Sequence, residues 1–331
     1  MLYISTRNHT DSFTAYRALR EKCAPDGGMF LPLRFPKFSK EEITQYTHKS
    51  FGQTVADILN LFFSAKLTAW DVECCIGRNP VRLQVMNHRL VLAQIWQNAN
   101  VDLDRIAAGL YQKMCANLAV PAPWELTGWA KITIRIALLF GIFTELSLMD
   151  ISCTDITVSC QDFDAPLAAW YAREMGLPIG TIICGCSEKS GIWDLLHRGV
   201  CSVGKESEHP QEVERLIFSS LGLTETRRYL ECVSKGGTYS VPAASLPELN
   251  KDMFAAVIGT DRAPAVIGSV YRSCACVIDP KAADAYGAMQ DYRAKTGESC
   301  TTLLLAETSP LNAMDTVSKA TGLTAQQIEG I

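Results

Sequence analysis

The chain has 331 residues, 48% of them hydrophobic and 20% charged, enough apolar material for one large or two moderate domains. Its net charge of −4, with no cluster of Lys or Arg, excludes a nucleic-acid binder. Glycine and proline are spread without a low-complexity run, which excludes long disorder.

No signal peptide is evident, since the opening Met1-Leu-Tyr-Ile4 passes at once to polar residues. The most apolar segment, residues 132–148, is interrupted by Arg135 and Glu145 and falls short of the roughly 20 residues a spanning helix needs. It reads as a buried helix, and the chain as a soluble cytoplasmic protein without membrane contact. Thirteen cysteines without an export signal point to reduced thiols. Cys184-Gly-Cys186 and Cys274-Ala-Cys276 are too closely spaced for a zinc knuckle, Cys74-Cys75 fits a helix, and no metal site is expected.

In chain order, a short strand opens the protein, and Asp11-Ser12 suggest the cap of a helix running to about Lys22. Ser39 and Glu42 have the spacing of a capping box ahead of Ile43. Residues 51–63 carry an apolar stripe at helical spacing. Residues 81–96 read as a β-hairpin turning at Asn87-His88. Helices are predicted over 102–118 and 126–148, divided by Val120-Pro-Ala-Pro-Trp124. From 154 the pattern is strand, helix, strand, helix over 154–159, 166–175, 181–184 and 191–198, the mark of an α/β fold with a partly parallel sheet. Residues 209–273 read as mostly helical. A helix at 281–295, a strand at 301–306 and helices after Pro310 follow, and there is no internal repeat.

Several segments carry a resemblance. Tyr3-Ile-Ser-Thr-Arg7, Ala24-Pro-Asp-Gly-Gly-Met-Phe-Leu-Pro32 and Pro36-Lys-Phe-Ser39 are similar to the N-terminal signature of threonine synthase, a pyridoxal-phosphate (PLP) enzyme of fold type II. The resemblance implies an α/β scaffold with an N-terminal helical segment, and a lysine that holds PLP as a Schiff base. Aligned on the family's lysine segment, Leu92-Ala-Gln-Ile-Trp-Gln-Asn-Ala-Asn-Val-Asp-Leu-Asp104 places Leu103 where the lysine stands. Leucine cannot form an imine. Leu126-Thr-Gly-Trp-Ala-Lys-Ile132 is similar to a helix start that in the family follows a lobe bearing a Ser-Gly-Asp-Thr-Gly loop. No such loop is present, so the small cofactor lobe is expected to be largely deleted near 116–125.

Val158-Ser-Cys-Gln-Asp-Phe-Asp-Ala-Pro166 and Ala172-Arg-Glu-Met-Gly-Leu-Pro-Ile179 resemble the family's phosphate turn and the helix after it. Free N–H groups and the helix dipole would attract an anion there. By the resemblance, Gln161, Asp162, Phe163 and Asp164 are the remnant of that cofactor-binding turn, with its glycines replaced by Gln161 and Asp164 and its asparagine by Asp162. Asp279-Pro-Lys-Ala-Ala-Asp-Ala-Tyr286 and Leu305-Ala-Glu-Thr-Ser-Pro310 resemble C-terminal motifs, and Glu307 matches the threonine near the pyridine nitrogen.

Competing readings accompany these residues. Asp162 and Asp164 suit a polar site for a cation or amine, or Asp164 caps the helix entering Pro166. Lys131 reads as a snorkelling lysine or as a relocated Schiff-base lysine. Glu307 reads as a general base at a strand end or as a helix-entry acid. His197 fits the last turn of a helix, His9 an exposed loop or a cleft, and Trp124 with Trp129 core or interface.

The resulting expectation is a threonine synthase-like region over 1–96 and an α/β core over 97–331. Together they form a pseudoenzyme without covalent PLP or threonine synthase activity. It keeps a cleft for a small amino-acid-like ligand, or a partner or regulatory role. No cofactor is expected, PLP entering only through the resemblance. Loss of a lobe predicts self-association or a partner protein, and a strictly monomeric species in sedimentation at micromolar concentration would count against that. The alternatives are an active PLP lyase using a non-standard lysine, and acid/base or metal chemistry at Asp162, Asp164 and Glu307.

Overall fold

The computed structural model describes all residues except 78–80, 97–100, 123–125, 127, 153–154, 162, 188–189, 203–209 and 260, and leaves out the side chain of residue 210. Strand β1 (Leu2–Ser5) pairs antiparallel with β2 (Phe13–Thr14) and with β3 (Phe30–Pro32). Helix α1 (Ala15–Arg20) is shorter than the sequence suggests. Phe13 and Thr14 belong to β2, with the Phe13 ring 5.4 Å from that of Phe30, so Thr14 rather than Asp11 or Ser12 stands at the N-cap.

The motifs at the N-terminus build a clamp. Asp26 accepts from the Ser5 hydroxyl at 2.8 Å and from the Gly28 N–H at 2.9 Å. Gly27 has φ +78°, a conformation that favours glycine, and a Cβ on Gly28 would stand 2.0 Å from Ser5 Oγ. Arg7 donates to both oxygens of the buried Glu214, from Nε at 3.1 Å and from Nη2 at 2.9 Å, and Thr6 donates to the same carboxylate. Ser5, Thr6, Arg7 and the Asp-Gly-Gly turn thus tie the first strand to a helix more than two hundred residues away.

Helix α2 (Lys40–Tyr46) begins with the expected capping box: Ser39 accepts from Glu42 N at 3.2 Å and Ser39 N donates to Glu42 Oε2 at 2.8 Å. Helix α3 (Phe51–Phe63) buries Val55, Ile58, Leu59 and Phe62, and α4 (Ala69–Ile76) follows behind a second capping box, Thr68 with Asp71. The hairpin is β4 (Arg82–Asn87) and β5 (Leu90–Gln94). Helix α5 (Leu103–Asn117) is capped by Asp102. Helix α6 (Trp129–Leu148) is buried around nearly its whole girth from Trp129 to Phe143, as its unbroken apolar run requires. Only residues 118–128 separate α5 from α6, which leaves no room for a lobe between them.

Next come β6 (Asp155–Ser159), α7 (Asp164–Glu174), β7 (Ile182–Cys186), α8 (Ile192–Arg198) and β8 (Val200–Ser202). Helix α9 (Pro210–Ser234) is kinked at Gly222, where φ is +79°. Strand β9 (Thr238–Ser240) pairs with β8, and α10 (Leu246–Leu249) leads to β10 (Met253–Val257). Two strands therefore interrupt a stretch that reads as helical. Met-Phe-Ala-Ala-Val has good helix propensity, but pairing with β7 along its whole length overrides that preference. Helices α11 (Arg262–Cys274) and α12 (Pro280–Thr296), strand β11 (Thr302–Ala306), a 3-10 turn at Pro310–Ala313, α13 (Met314–Thr321) and α14 (Ala325–Glu329) complete the chain.

The main sheet runs β10-β7-β6-β11-β5-β4, parallel except for β4. Its inner strands are apolar on both faces because helices cover both. On one face Val91, Ala93, Ile156, Val158, Leu303 and Leu305 meet α3, α5, α6 and α7. On the other, Leu90, Leu92, Ile183 and Leu304 meet α11, α12 and α13. Among the described residues no helix is long and apolar enough to cross a membrane.

Candidate functional site

The carboxyl ends of β6 and β11 lie side by side, yet β6 leads into α7 on one face and β11 into α13 on the other. Ligands of open α/β sheets settle in the crevice such a divergence opens. The positions singled out in the sequence gather here. Leu103, buried at the start of α5, donates its N–H to the carbonyl of Glu307 at 3.2 Å. Leu103, Glu307, Arg135 and Ala165 line one small cavity, holding about 10 Å³ of free space. That is roughly one water's worth.

Two cations one turn apart on α6 reach into this crevice. Lys131 Nζ lies 2.6 Å from Asp164 Oδ2, and the Arg135 guanidinium pairs with Glu307 Oε1. One partner of each pair is buried, the Arg135 side chain at 6% exposed and that of Asp164 at 8%, while Lys131 at 27% and Glu307 at 22% keep some contact with water. Buried pairing of this kind holds only when each charge keeps its partner. Asp164 therefore does not cap α7: Phe163 stands at the N-cap, no side chain caps there, and the Asp164 carboxylate faces Lys131 instead. Phe163 is fully buried core. Gln161 is exposed and donates from Nε2 to Asp284 Oδ2 at 3.4 Å. Asp162 lies outside the described residues.

Two carboxyls beside the crevice were not singled out as site residues. Asp279 caps α12, accepting from Ala282 N at 3.2 Å and Lys281 N at 3.1 Å. Burial pushes its carboxyl up to about 7 against those two hydrogen bonds, and the nearby Glu307 adds to the rise. Burial also raises Asp284, to about 6, with the Gln161 amide opposing. A signal for the cation pair did exist in the sequence: Lys131 and Arg135 have i,i+4 spacing within an otherwise apolar helix.

The remaining candidates disperse. Trp129 is core, within 5.4–6.0 Å of the rings of Phe35, Phe62 and Tyr171. Trp124 lies outside the described residues. His197 occupies the last turn of α8 stacked 4.7 Å from Trp193, and burial lowers its pKa, with Lys295 adding to the effect. His9 is exposed on the loop after β1. Among the described residues no group of three His, Cys, Asp or Glu side chains is arranged to hold a metal, and the described cysteines are free thiols.

The sheet and the helices around it have the fold of the solved threonine synthases, and residues 2–79 match the family model described as the threonine synthase N terminus. PLP-bound threonine synthase from Brucella melitensis superposes with a TM-score of 0.84 at 17% identity, covering 99% of this chain and 94% of that one. Yeast threonine synthase gives 0.82 at 15% identity (98% and 90% covered). The Escherichia coli enzyme gives 0.75 at 13% identity (98% and 92%). Comparison with curated protein sequences gives no match.

Proposed function

We propose that this chain is a threonine synthase-like pseudoenzyme that neither holds PLP covalently nor makes threonine. The reading rests on the crevice itself: where the resemblance calls for a lysine, Leu103 lines a cavity of about 10 Å³ shared with the Arg135–Glu307 pair. PLP does not fit these residues. The cavity at Leu103 is too small for a pyridine ring, and leucine offers no amine to form the imine. The turn that resembles the family's phosphate turn carries Asp164, a carboxylate that disfavours an anion and pairs with Lys131.

The pairing also weighs against the two enzymatic readings. Asp164 and Glu307 are brought to one face of α6, but each already pairs with a cation there, which weighs against their serving as open ligands for a metal. Lys131 would have to leave Asp164 before its amine could attack a carbonyl. What remains is a scaffold whose described crevice side chains pair with one another, suited to a binding or regulatory role.

The test is incubation with PLP, borohydride reduction and mass measurement of the intact protein and its peptides. We expect no stoichiometric adduct, only scattered partial labelling of surface lysines. One phosphopyridoxyl group per chain at a single lysine, Lys131 above all, would overturn the reading.

A further inference from the structure

A groove of about 670 Å³ opens on the far side of α7, between the N-terminal sheet and α9. That volume falls within the range of small-molecule sites, unlike the cavity at Leu103. Its walls are aromatic. Phe35 stacks on Tyr171 at 4.7 Å, Trp170 meets Tyr171 at 5.2 Å, and Phe218 presents its ring to His9 at 5.0 Å. Each of these aromatic side chains except Tyr171 is only partly buried, so ring surface remains for a guest. At its floor, the Tyr171 and Ser219 hydroxyls share a hydrogen bond of 2.9 Å.

The charge around the groove is lopsided. Arg34 and Lys37 line it, and neither makes an ion pair among the described residues. The one carboxylate in the lining, Glu174, is partly neutralised by Arg173 at 3.5 Å. Behind the floor, one helical turn from Ser219, Arg215 is fully buried. Among the described residues none of its guanidinium nitrogens makes a hydrogen bond, and its partner Glu212 stands 3.6 Å away. A buried cation leaves positive potential around it. Its field reaches the groove, where it favours the anionic form of the Tyr171 hydroxyl against the larger opposing effect of burial.

We propose that this groove binds a small planar aromatic molecule carrying an anionic group, its ring against Trp170 and Phe218 and its charge toward Arg34 and Lys37. Rings gain from stacking on exposed aromatic faces, and a lopsided field selects the sign of the guest. The site is separate from the crevice and does not depend on how PLP behaves there.

The probe is 1-anilinonaphthalene-8-sulfonate, titrated into the full chain beside its uncharged analogue N-phenyl-1-naphthylamine. The sulfonate should bind with one-to-one stoichiometry and more tightly than the neutral compound. The double change Arg34→Gln/Lys37→Gln, at two exposed positions, should weaken the sulfonate roughly tenfold and leave the neutral compound unchanged. Trp170→Phe keeps a ring in the wall and should weaken both, whereas Trp70→Ala, at a 64% exposed position outside the groove, should change neither. Equal binding of the two compounds, no response to the Arg34/Lys37 change, or an equal loss with Trp70→Ala would each overturn the proposal. Thermal melts of every variant separate lost binding from lost folding.

Discussion

Asp279 is 2% exposed and sits at the head of α12 with its carboxyl pushed up to about 7. An unfolded chain would release that proton near the ordinary carboxylate value of about 4. Between about pH 4 and 7 the folded state therefore holds a proton the unfolded state gives up. The stability this contributes is fully present below about pH 4 and is lost as pH rises through 7. Asp284, raised to about 6, acts in the same direction. Asparagine caps helices about as well as aspartate and cannot ionise. We expect Asp279→Asn to gain on the natural chain by up to about 1.4 kcal/mol per pH unit across that window, a few kcal/mol in total by pH 8. Urea melts at pH 5, 6.5 and 8 measure this; a difference that stays flat with pH would refute it. At this scale the sequence was only half readable. The resemblance set Leu103 at the position of a lysine, and Asp164 and Glu307 at the positions of neutral residues. It did not show that Lys131 and Arg135 would neutralise those two acids, because that pairing needs α6, α7 and β11 to meet across long stretches of chain.

Between elements, the closest approach that matters for the sheet is made by Gly185. A Cβ there would stand 2.6 Å from the backbone carbonyl of Asp284, so β7 and α12 touch main chain to main chain. A flexible side chain could yield, but a helix backbone cannot without moving as a body. Gly185→Ala should cost about 1–3 kcal/mol or more, read as a lower urea midpoint with an unchanged slope. A midpoint within error of the natural chain would show that α12 has slack. In the sequence this glycine stands between Cys184 and Cys186, where it invites thought of a metal, yet both thiols are buried and the glycine serves packing. Elements with a local signature were legible: the Ser39–Glu42 capping box and the α3 stripe sit where the sequence puts them, and the β4–β5 hairpin turns one residue later than expected, at His88-Arg89. Strand β10 was not, since its propensity is helical and only its neighbour β7 makes it a strand. The start of α1 was missed for the same reason, because pairing of Phe13 and Thr14 with β1 is not a local property.

At the scale of the molecule, the segment matching the threonine synthase N terminus is built into the fold. Phe51 of α3 lies against Gly141 of α6 so closely that a Cβ there would come within 2.7 Å of its ring. Phe62 lies 6.0 Å from the Trp129 ring. The Arg7–Glu214 pair ties β1 to α9, and β5 pairs along its whole length with β11. A chain cut to residues 97–331 would turn β11 into an open edge and bare the faces of α6 that α3 covers. An exposed, apolar parallel strand is an aggregation template, and the lost burial is many times the margin by which domains are stable. We therefore expect residues 97–331 expressed alone to be insoluble or unfolded, and co-expression with residues 1–96 to restore a soluble complex. Far-UV circular dichroism and a thermal melt of the shorter chain decide the matter. A cooperative transition from that chain alone would mean that the core closes without its N-terminal segment, and that the contacts of α3, β1 and β5 only decorate it. Failure to fold, with rescue by the N-terminal piece, would mean that the core and the segment form one cooperative unit.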